Sequence, residues 1–256
     1  MIALIILVIG CATTGPGGKK SLILIPTAVE VDIGKQIATD VESSEKLLNQ
    51  QQVQNYVNAV GQKLVKVCNR KNLKYSFKVI DKDEINAFAC PGGYIYIYTG
   101  LLKVMNNEAQ LAAVLGHEIG HVVARHSIQR LQVVYGYNLL MEFALSDRMS
   151  NTARQMIDAA TGLVLQGYGR ENEYDADEYG ILYEKKAGYN PGGMIQLFEK
   201  FKQMEGKPPN YFEKLLASHP PAQDRINNGN KEIKKIDGTS LPYYAEEYAI
   251  IKTLIP

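Results

Sequence analysis

The chain has 256 residues and a formal net charge of +1, which indicates no polyanion partner and sets nucleic-acid binding aside as a function class. Its length can bury a sizeable core, and 46% apolar with 21% charged residues is the balance of a globular protein. Only four histidines are present, His117, His121, His126 and His219, so any meaningful spacing among them carries weight.

Ile2 to Ile9 is an unbroken apolar run followed by Gly10 and Cys11. A bilayer span needs about 20 such residues, so the run reads as the apolar region of a secretory signal, although no Lys or Arg precedes it. Val8-Ile9-Gly10-Cys11 resembles the lipobox of bacterial lipoproteins, which implies lipidation of Cys11. Ala12 stands where an aspartate would imply inner-membrane retention, so the resemblance implies an outer-membrane anchor facing the periplasm, with lipid the only membrane attachment. Small, polar, Gly-rich residues follow as a tether. The expected organisation is a signal over 1–11, a linker over 12–25 and one domain over 26–256. Cys68 and Cys90 are then left as buried thiols or as a pair in an oxidising compartment.

Apolar positions from Leu47 to Val65 recur at helical spacing, predicting a helix within 44–67. Tyr75, Phe77 and Val79 alternate with polar residues and predict a strand. Ile85–Ala89 and Tyr94–Thr99 predict a hairpin around Pro91-Gly92-Gly93. Asn107, with Gln110 three residues on, marks the start of a buried helix expected to run beyond 126. Residues 130–169 suggest one or two helices forming a lid. Glu171–Lys186 predicts a strong helix, Asn190-Pro191 the start of another, and Pro221 a further start. The expected fold is α+β and mainly helical, with a small sheet packed on the helix that carries His117.

His117-Glu118-Ile119-Gly120-His121 holds the argument for function. Side chains at i and i+4 share a helix face, so both imidazoles can reach one Zn²⁺. Glu118 projects beside them as a general base, and zinc lowers the pKa of water and polarises a peptide carbonyl. With four histidines the pattern arises by chance about 0.004 times in such a chain. Ionisable groups on a buried helix are costly, and a metal compensates them. A catalytic zinc takes three protein ligands. His126, five after His121, is rotated off the shared face and reads as structural. Glu173 is the better candidate, with Asp177 one turn on able to orient a ligating histidine. Spacing alone leaves open that their helix is merely a charged, solvated face.

Asn86-Ala87-Phe88-Ala89, Pro91-Gly92-Gly93-Tyr94, Leu115 to His121 with Arg125-His126, Arg170 to Asp177, and Ser218-His219-Pro220 with Arg225 lie in one order. Together they resemble the HtpX-like and CAAX-prenyl-protease-type zinc metallopeptidases, particularly their soluble periplasmic members. The resemblance implies a gluzincin-like fold, one Zn²⁺ per chain held by His117, His121 and Glu173, and Asp177, Arg170 and Arg225 supporting the ligands. The membrane helices of HtpX-like members have no counterpart in the apolar patterning, and neither does the helical-repeat domain of some periplasmic ones. Polypeptide substrate, expected to be misfolded envelope protein, would lie extended along Asn86 to Ala89. Glu118 would act as base. His219 would either stabilise the oxyanion or swing in as a fourth ligand and latch the metal. The expected activity is a metalloendopeptidase in envelope quality control. The alternative is a catalytically silent zinc-binding chaperone or adaptor on the same scaffold.

Overall fold

The computed structural model describes residues 11–13, 20–145, 151–204, 219, 223–236 and 239–256; for 11–13, 20–21, 142–145 and 151–156 it describes the backbone alone. The apolar run before Cys11 and the connector around 205–217 lie outside the described residues.

Cys11–Thr13 (β1) pairs antiparallel with Lys20–Leu22 (β2), Cys11 opposite Leu22. Within the segment expected to be linker, Ile23 and Ile25 are buried and belong to the packed structure. The helix Thr27–Ser44 (α1) was not read from the sequence, although Ile33, Ile37 and Val41 mark one buried face at its i, i+4, i+8 positions. Gln51–Val65 (α2) starts later than its pattern predicts. Leu47 instead bridges to Ile80, and the Leu48 amide donates to Val79 O at 2.9 Å. Pairing with the sheet has overridden helical spacing there.

Three strands form the sheet: Ser76–Ile80 (β3), Ala87–Cys90 (β4) and Tyr94–Tyr98 (β5). Their order is β3-β5-β4, with β3 parallel to β5 and β4 antiparallel to it across the expected hairpin. Gly92 supplies the left-handed turn residue, φ 76°. Side chains alternate across a strand, and β5 uses this to build two cores. Ile95 and Ile97 enter one cluster with α2 and the metal-site helices. Tyr96 and Tyr98 enter the other with α1 and the helices after residue 125. The tyrosine richness of the chain thus serves packing: Phe88 stacks on Tyr96 with ring centroids 5.1 Å apart, and Tyr96 Oη donates to Glu42 at 2.8 Å.

Thr99–Val104 (α3) leads into Glu108–Ala124 (α4). Asn107 Oδ1 accepts from the Gln110 amide at 2.9 Å, and Gln110 Oε1 accepts from the Asn106 amide at 2.8 Å, close to the expected reciprocal cap. The helix does not run past 126. Arg125 adopts a left-handed conformation, φ 58°, and His126–Leu145 (α5) starts a new helix with a break at Gly136. Arg125 is held there by its side chain: Nη2 donates to Ile25 O at 2.6 Å, and Nε lies 2.7 Å from Glu30 Oε2. Asn151–Leu165 (α6) follows, and Ile128, Leu131, Leu140, Ala160 and Val164 pack into the tyrosine-side core. The chain continues through Arg170–Lys186 (α7), Gly192–Met204 (α8), Gln223–Ile236 (α9) and Ala245–Lys252 (α10). The last helix anchors the tail: Tyr248 is buried and donates to Leu102 O at 2.7 Å. Among the described residues no helix is long and apolar enough to cross a membrane.

Candidate metal centre

Helices α4 and α7 approach closely because small residues face each other. A β-carbon on Gly116 would lie 3.2 Å from Gly180 Cα, and one on Gly120 would lie 2.9 Å from Ala176 O. These contacts alternate with functional positions on each helix. His117 and His121 therefore meet Glu173 and Asp177, each pair one turn apart.

Among the described residues, His117, His121, Glu173 and His219 form a buried group whose ligand atoms all lie within 4.8 Å of one another. Nε2 of His117 and Nε2 of His121 are 3.0 Å apart. Glu173 Oε2 lies 3.5 Å from His117 Nε2, and Oε1 lies 3.4 Å from His121 Nε2. His219 Nδ1 is 3.0 Å from Glu173 Oε2 and 3.3 Å from His117 Nε2.

The outer contacts orient His117 and hold the carboxylates ionised. Asp177 is buried, which opposes its ionisation, but Arg225 outweighs this and holds its carboxyl below the usual value. Arg225 donates to it through Nε at 2.7 Å and Nη2 at 2.6 Å. A carboxylate only accepts, so His117 Nδ1, 2.8 Å from Asp177 Oδ1, must donate, which turns Nε2 toward the cluster as the nitrogen a metal would take. Glu173 is likewise buried, yet His219 and Arg225 hold it well below the usual carboxylate range, with Arg225 Nη1 3.0 Å from Oε2. Burial pushes the His121 imidazolium down, favouring the neutral ring. The Nε2 atoms of two imidazoles and a carboxylate thus face one point, and a borderline-soft divalent cation such as Zn²⁺ fits that donor set.

Glu118 is buried beside this group. Burial pushes its carboxyl up, against the pull of His219 and His117. Its Oε2 meets no hydrogen-bond partner among the described residues, and its Oε1 lies 3.7 Å from His219 Nε2. Of the strand residues expected to hold substrate, Ala87 lines a pocket with His117 and Glu118 at the edge of the sheet. Asn86 and Ala89 are buried next to it, whereas strand alternation turns Phe88 to the opposite face, among tyrosines. Arg170 departs from its expected place. It is exposed at the start of α7, one turn from Glu173, and no described hydrogen bond or ion pair joins it to the cluster.

Two further side chains adjoin His121: His126, read from the sequence as structural, and Tyr168, which the sequence did not single out. His126 Nδ1 lies 2.8 Å from His121 Nδ1. Tyr168 stacks on His121 with ring centroids 4.0 Å apart, its hydroxyl 2.6 Å from Ser127 Oγ. Its only sequence signal was an aromatic residue between Gly167 and Gly169, just ahead of α7. Cys68 and Cys90 are free, buried thiols.

Residues 51–233 match the profile of peptidase family M48. The chain is similar to the beta-barrel assembly-enhancing protease of Escherichia coli (strain K12), 28% identical over 211 residues, covering 77% of this chain and 42% of that protein. It is also similar to metalloprotease YcaL of the same organism, 29% identical over 185 residues, covering 69% of this chain and 71% of that one. A mitochondrial metalloendopeptidase of Schizosaccharomyces pombe is 31% identical over 179 residues, 67% of this chain and 50% of that one. The chain spans less than half the length of the first of these relatives. The matched residues take in both helices of the metal centre and the arginine that braces it, and the chain belongs to peptidase family M48.

Proposed function

We propose that this protein is a zinc-dependent metalloendopeptidase that cleaves polypeptides of the bacterial cell envelope in protein quality control. One observation carries the reading: an unpartnered, buried Glu118 oxygen beside the converging ligand atoms of His117, His121 and Glu173. A bound Zn²⁺ supplies Lewis acidity toward the scissile carbonyl and lowers the pKa of water. Glu118 Oε2 accepts the proton of the attacking water and returns it to the leaving amine, a transfer that its raised affinity for protons favours. Asp177 and Arg225 fix the His117 tautomer and the Glu173 carboxylate. β4 lies at the edge of the three-stranded sheet, where its backbone groups would pair with an extended substrate. The envelope setting rests on the Val8–Cys11 pattern, which supports a lipid anchor in the outer membrane, and on the names of the relatives.

The test uses the chain from Ala12 onward. About one zinc per chain is expected by atomic absorption, together with casein cleavage that a chelator abolishes and added zinc restores. Glu118→Gln should keep the zinc and lose cleavage by roughly 10²–10⁴-fold. Absence of zinc overturns the reading. Full cellular function in Glu118→Gln favours a silent chaperone or adaptor instead.

A further inference from the structure

One surface of the molecule is apolar where a face in water carries charge. Val133 and Val134 of α5 are 84% and 53% exposed, and Tyr137 and Leu139 are exposed beyond the break at Gly136. Leu131 and Leu140, on either side, are buried in the tyrosine-side core, so the segment between them projects as a tip held at both ends. No charged residue occurs from Leu131 to Met141. A second apolar strip adjoins the tip. From Leu22 the chain alternates, with Ile23 and Ile25 in the core and Leu22 and Leu24 turned outward, 55% and 36% exposed. Gln132 clamps this strip to α5: its Oε1 accepts from the Leu24 amide at 2.8 Å, and its Nε2 donates to Leu22 O at 3.2 Å. Arg130 ties the end of α6, where Leu165 is exposed, to the same region by donating to Gly167 O and to Gln166 Oε1. Among the described residues, seven of the eight exposed large hydrophobic side chains fall in these three segments, and only Ile250 lies elsewhere. Single exposed apolar side chains need no explanation, whereas a clustered set marks a contact surface.

We propose that this surface docks on a phospholipid bilayer, with the tip at Val133 and Val134 entering the membrane interface. The inference rests on the lipid-anchor reading of Cys11 for its occupant. Position joins the two. Cys11 pairs opposite Leu22 in the β1–β2 ladder, and Leu22 O is held by Gln132, the residue before Val133. Paired strands lie about 5 Å apart. A lipid on Cys11 therefore leaves the protein at the edge of the apolar surface, and the bilayer it enters meets Leu22 and the α5 tip. Charge agrees with that occupant: residues 11–25 and 126–141 include Lys19, Lys20 and Arg130 and no Asp or Glu, which suits anionic headgroups. Tyr137 supplies the apolar ring with a polar end that favours a membrane interface. The lipid gives attachment and the surface gives orientation. Val133 and Val134 share a shallow depression with Gly167, Tyr168 and Gly169, and Tyr168 stacks on His121. The docked face is thus the His121 side of the metal centre.

The test separates the surface from the lipid. The zinc-loaded chain from Cys11 is coupled through that thiol to vesicles of phosphatidylethanolamine and phosphatidylglycerol that carry a maleimide lipid; Cys68 and Cys90 are buried and do not compete. Hydrogen exchange over residues 131–141 should slow about 10-fold or more against the same chain capped with N-ethylmaleimide in solution, with exchange in α10 unchanged. Equal exchange over 131–141 overturns the proposal. The chain from Ala12, which has no attachment, is then sedimented with the same phospholipids. Val133→Ser combined with Val134→Ser should weaken its partition about 10-fold or more, whereas Ile250→Ser, on a helix packed in the other core, should not. Replacing the anionic lipid by phosphatidylcholine should weaken partition by roughly 5-fold for each lysine near the surface. A parent that partitions no better than the double variant overturns the proposal. So does a double variant that breaks up a dimer in sedimentation velocity and partitions like the parent, because the surface is then a contact between copies. Mass spectrometry of Cys11 from cells making the full chain tests the anchor separately. An unmodified Cys11 overturns the anchor reading and leaves the surface to be decided by the vesicles.

Discussion

His121 and His126 face each other Nδ1 to Nδ1 across 2.8 Å, and only one of the two nitrogens can carry the proton of a neutral pair. If His121 is to offer its Nε2 lone pair to a metal, its proton sits on Nδ1 and His126 Nδ1 accepts. The His126 proton then sits on Nε2, which lies 3.7 Å from Asp175 Oδ2. His126 thereby orients a ligand, though it sits on the far side of a helix break. Replacing it with Ala should lower zinc affinity about 10–100-fold, read by competition with a chromogenic chelator. Affinity equal to the parent's would show that the contact does not set the tautomer.

His219 is the fourth donor of the cluster, and a fourth protein donor closes the position that a catalytic zinc site keeps for water and substrate. Both roles expected for this histidine, oxyanion donor and latch, fit a place beside Glu173 and Glu118, and the prediction takes the latch. His219→Ala should therefore raise casein cleavage severalfold while zinc stays bound. Lower cleavage would make it the oxyanion donor instead, and an unchanged rate would remove both roles.

The spacing of the metal site depends on the bare contact between α4 and α7. A methyl group at position 120 meets backbone, Ala176 O at 2.9 Å, which cannot rotate away. Gly120→Ala should destabilise the fold by about 1–3 kcal/mol in urea titration and loosen zinc binding, because separating the helices withdraws Glu173 from both histidines. A variant as stable as the parent with unchanged zinc affinity would mean that the helices have slack.

What local pattern encodes was legible: the i, i+4 histidines, the Asn107 cap, the β4–β5 hairpin and the helix of Glu173. What depends on distant partners was not. The α4 helix was extended past 126 because nothing local forbids it; the stop comes from Glu30, nearly a hundred residues earlier, holding Arg125 in a left-handed turn. His126 was set aside for the same reason, since a continuous helix would carry it off the shared face. Tyr168 reaches His121 through a loop whose path no periodicity describes. Arg170 was credited through its neighbours in a motif, yet its side chain is exposed.

Glu30 is 1% exposed and faces two cations. Arg70 donates to both its oxygens, at 3.1 and 3.0 Å, and to Val122 O at 2.8 Å, while Arg125 Nε approaches at 2.7 Å. The trio ties α1 to the end of α4, just beyond His121. Removing the one anion leaves two guanidinium groups sharing a mostly buried space. Glu30→Gln should cost roughly 3–5 kcal/mol in urea unfolding, far more than loss of a surface pair. A change below about 1 kcal/mol would show that water already screens the trio.

Glu184 is the opposite case, a carboxyl with 0% exposure whose two oxygens meet no hydrogen-bond partner among the described residues. Burial pushes its pKa well above the usual carboxylate value. Below about pH 4 the group is protonated in folded and unfolded chains alike, and it adds no pH dependence. Above that, the unfolded chain releases the proton while the folded one retains it, so rising pH favours unfolding. The loss is about 1.4 kcal/mol per pH unit for as long as the buried group stays protonated. Glu184→Met, similar in shape and unable to ionise, should remove that slope. Urea titrations of both proteins at pH 5, 6, 7 and 8 should therefore diverge with rising pH, the variant becoming progressively the more stable. Parallel curves would mean that Glu184 ionises in the folded protein as readily as in the unfolded one, with water reaching the end of α7.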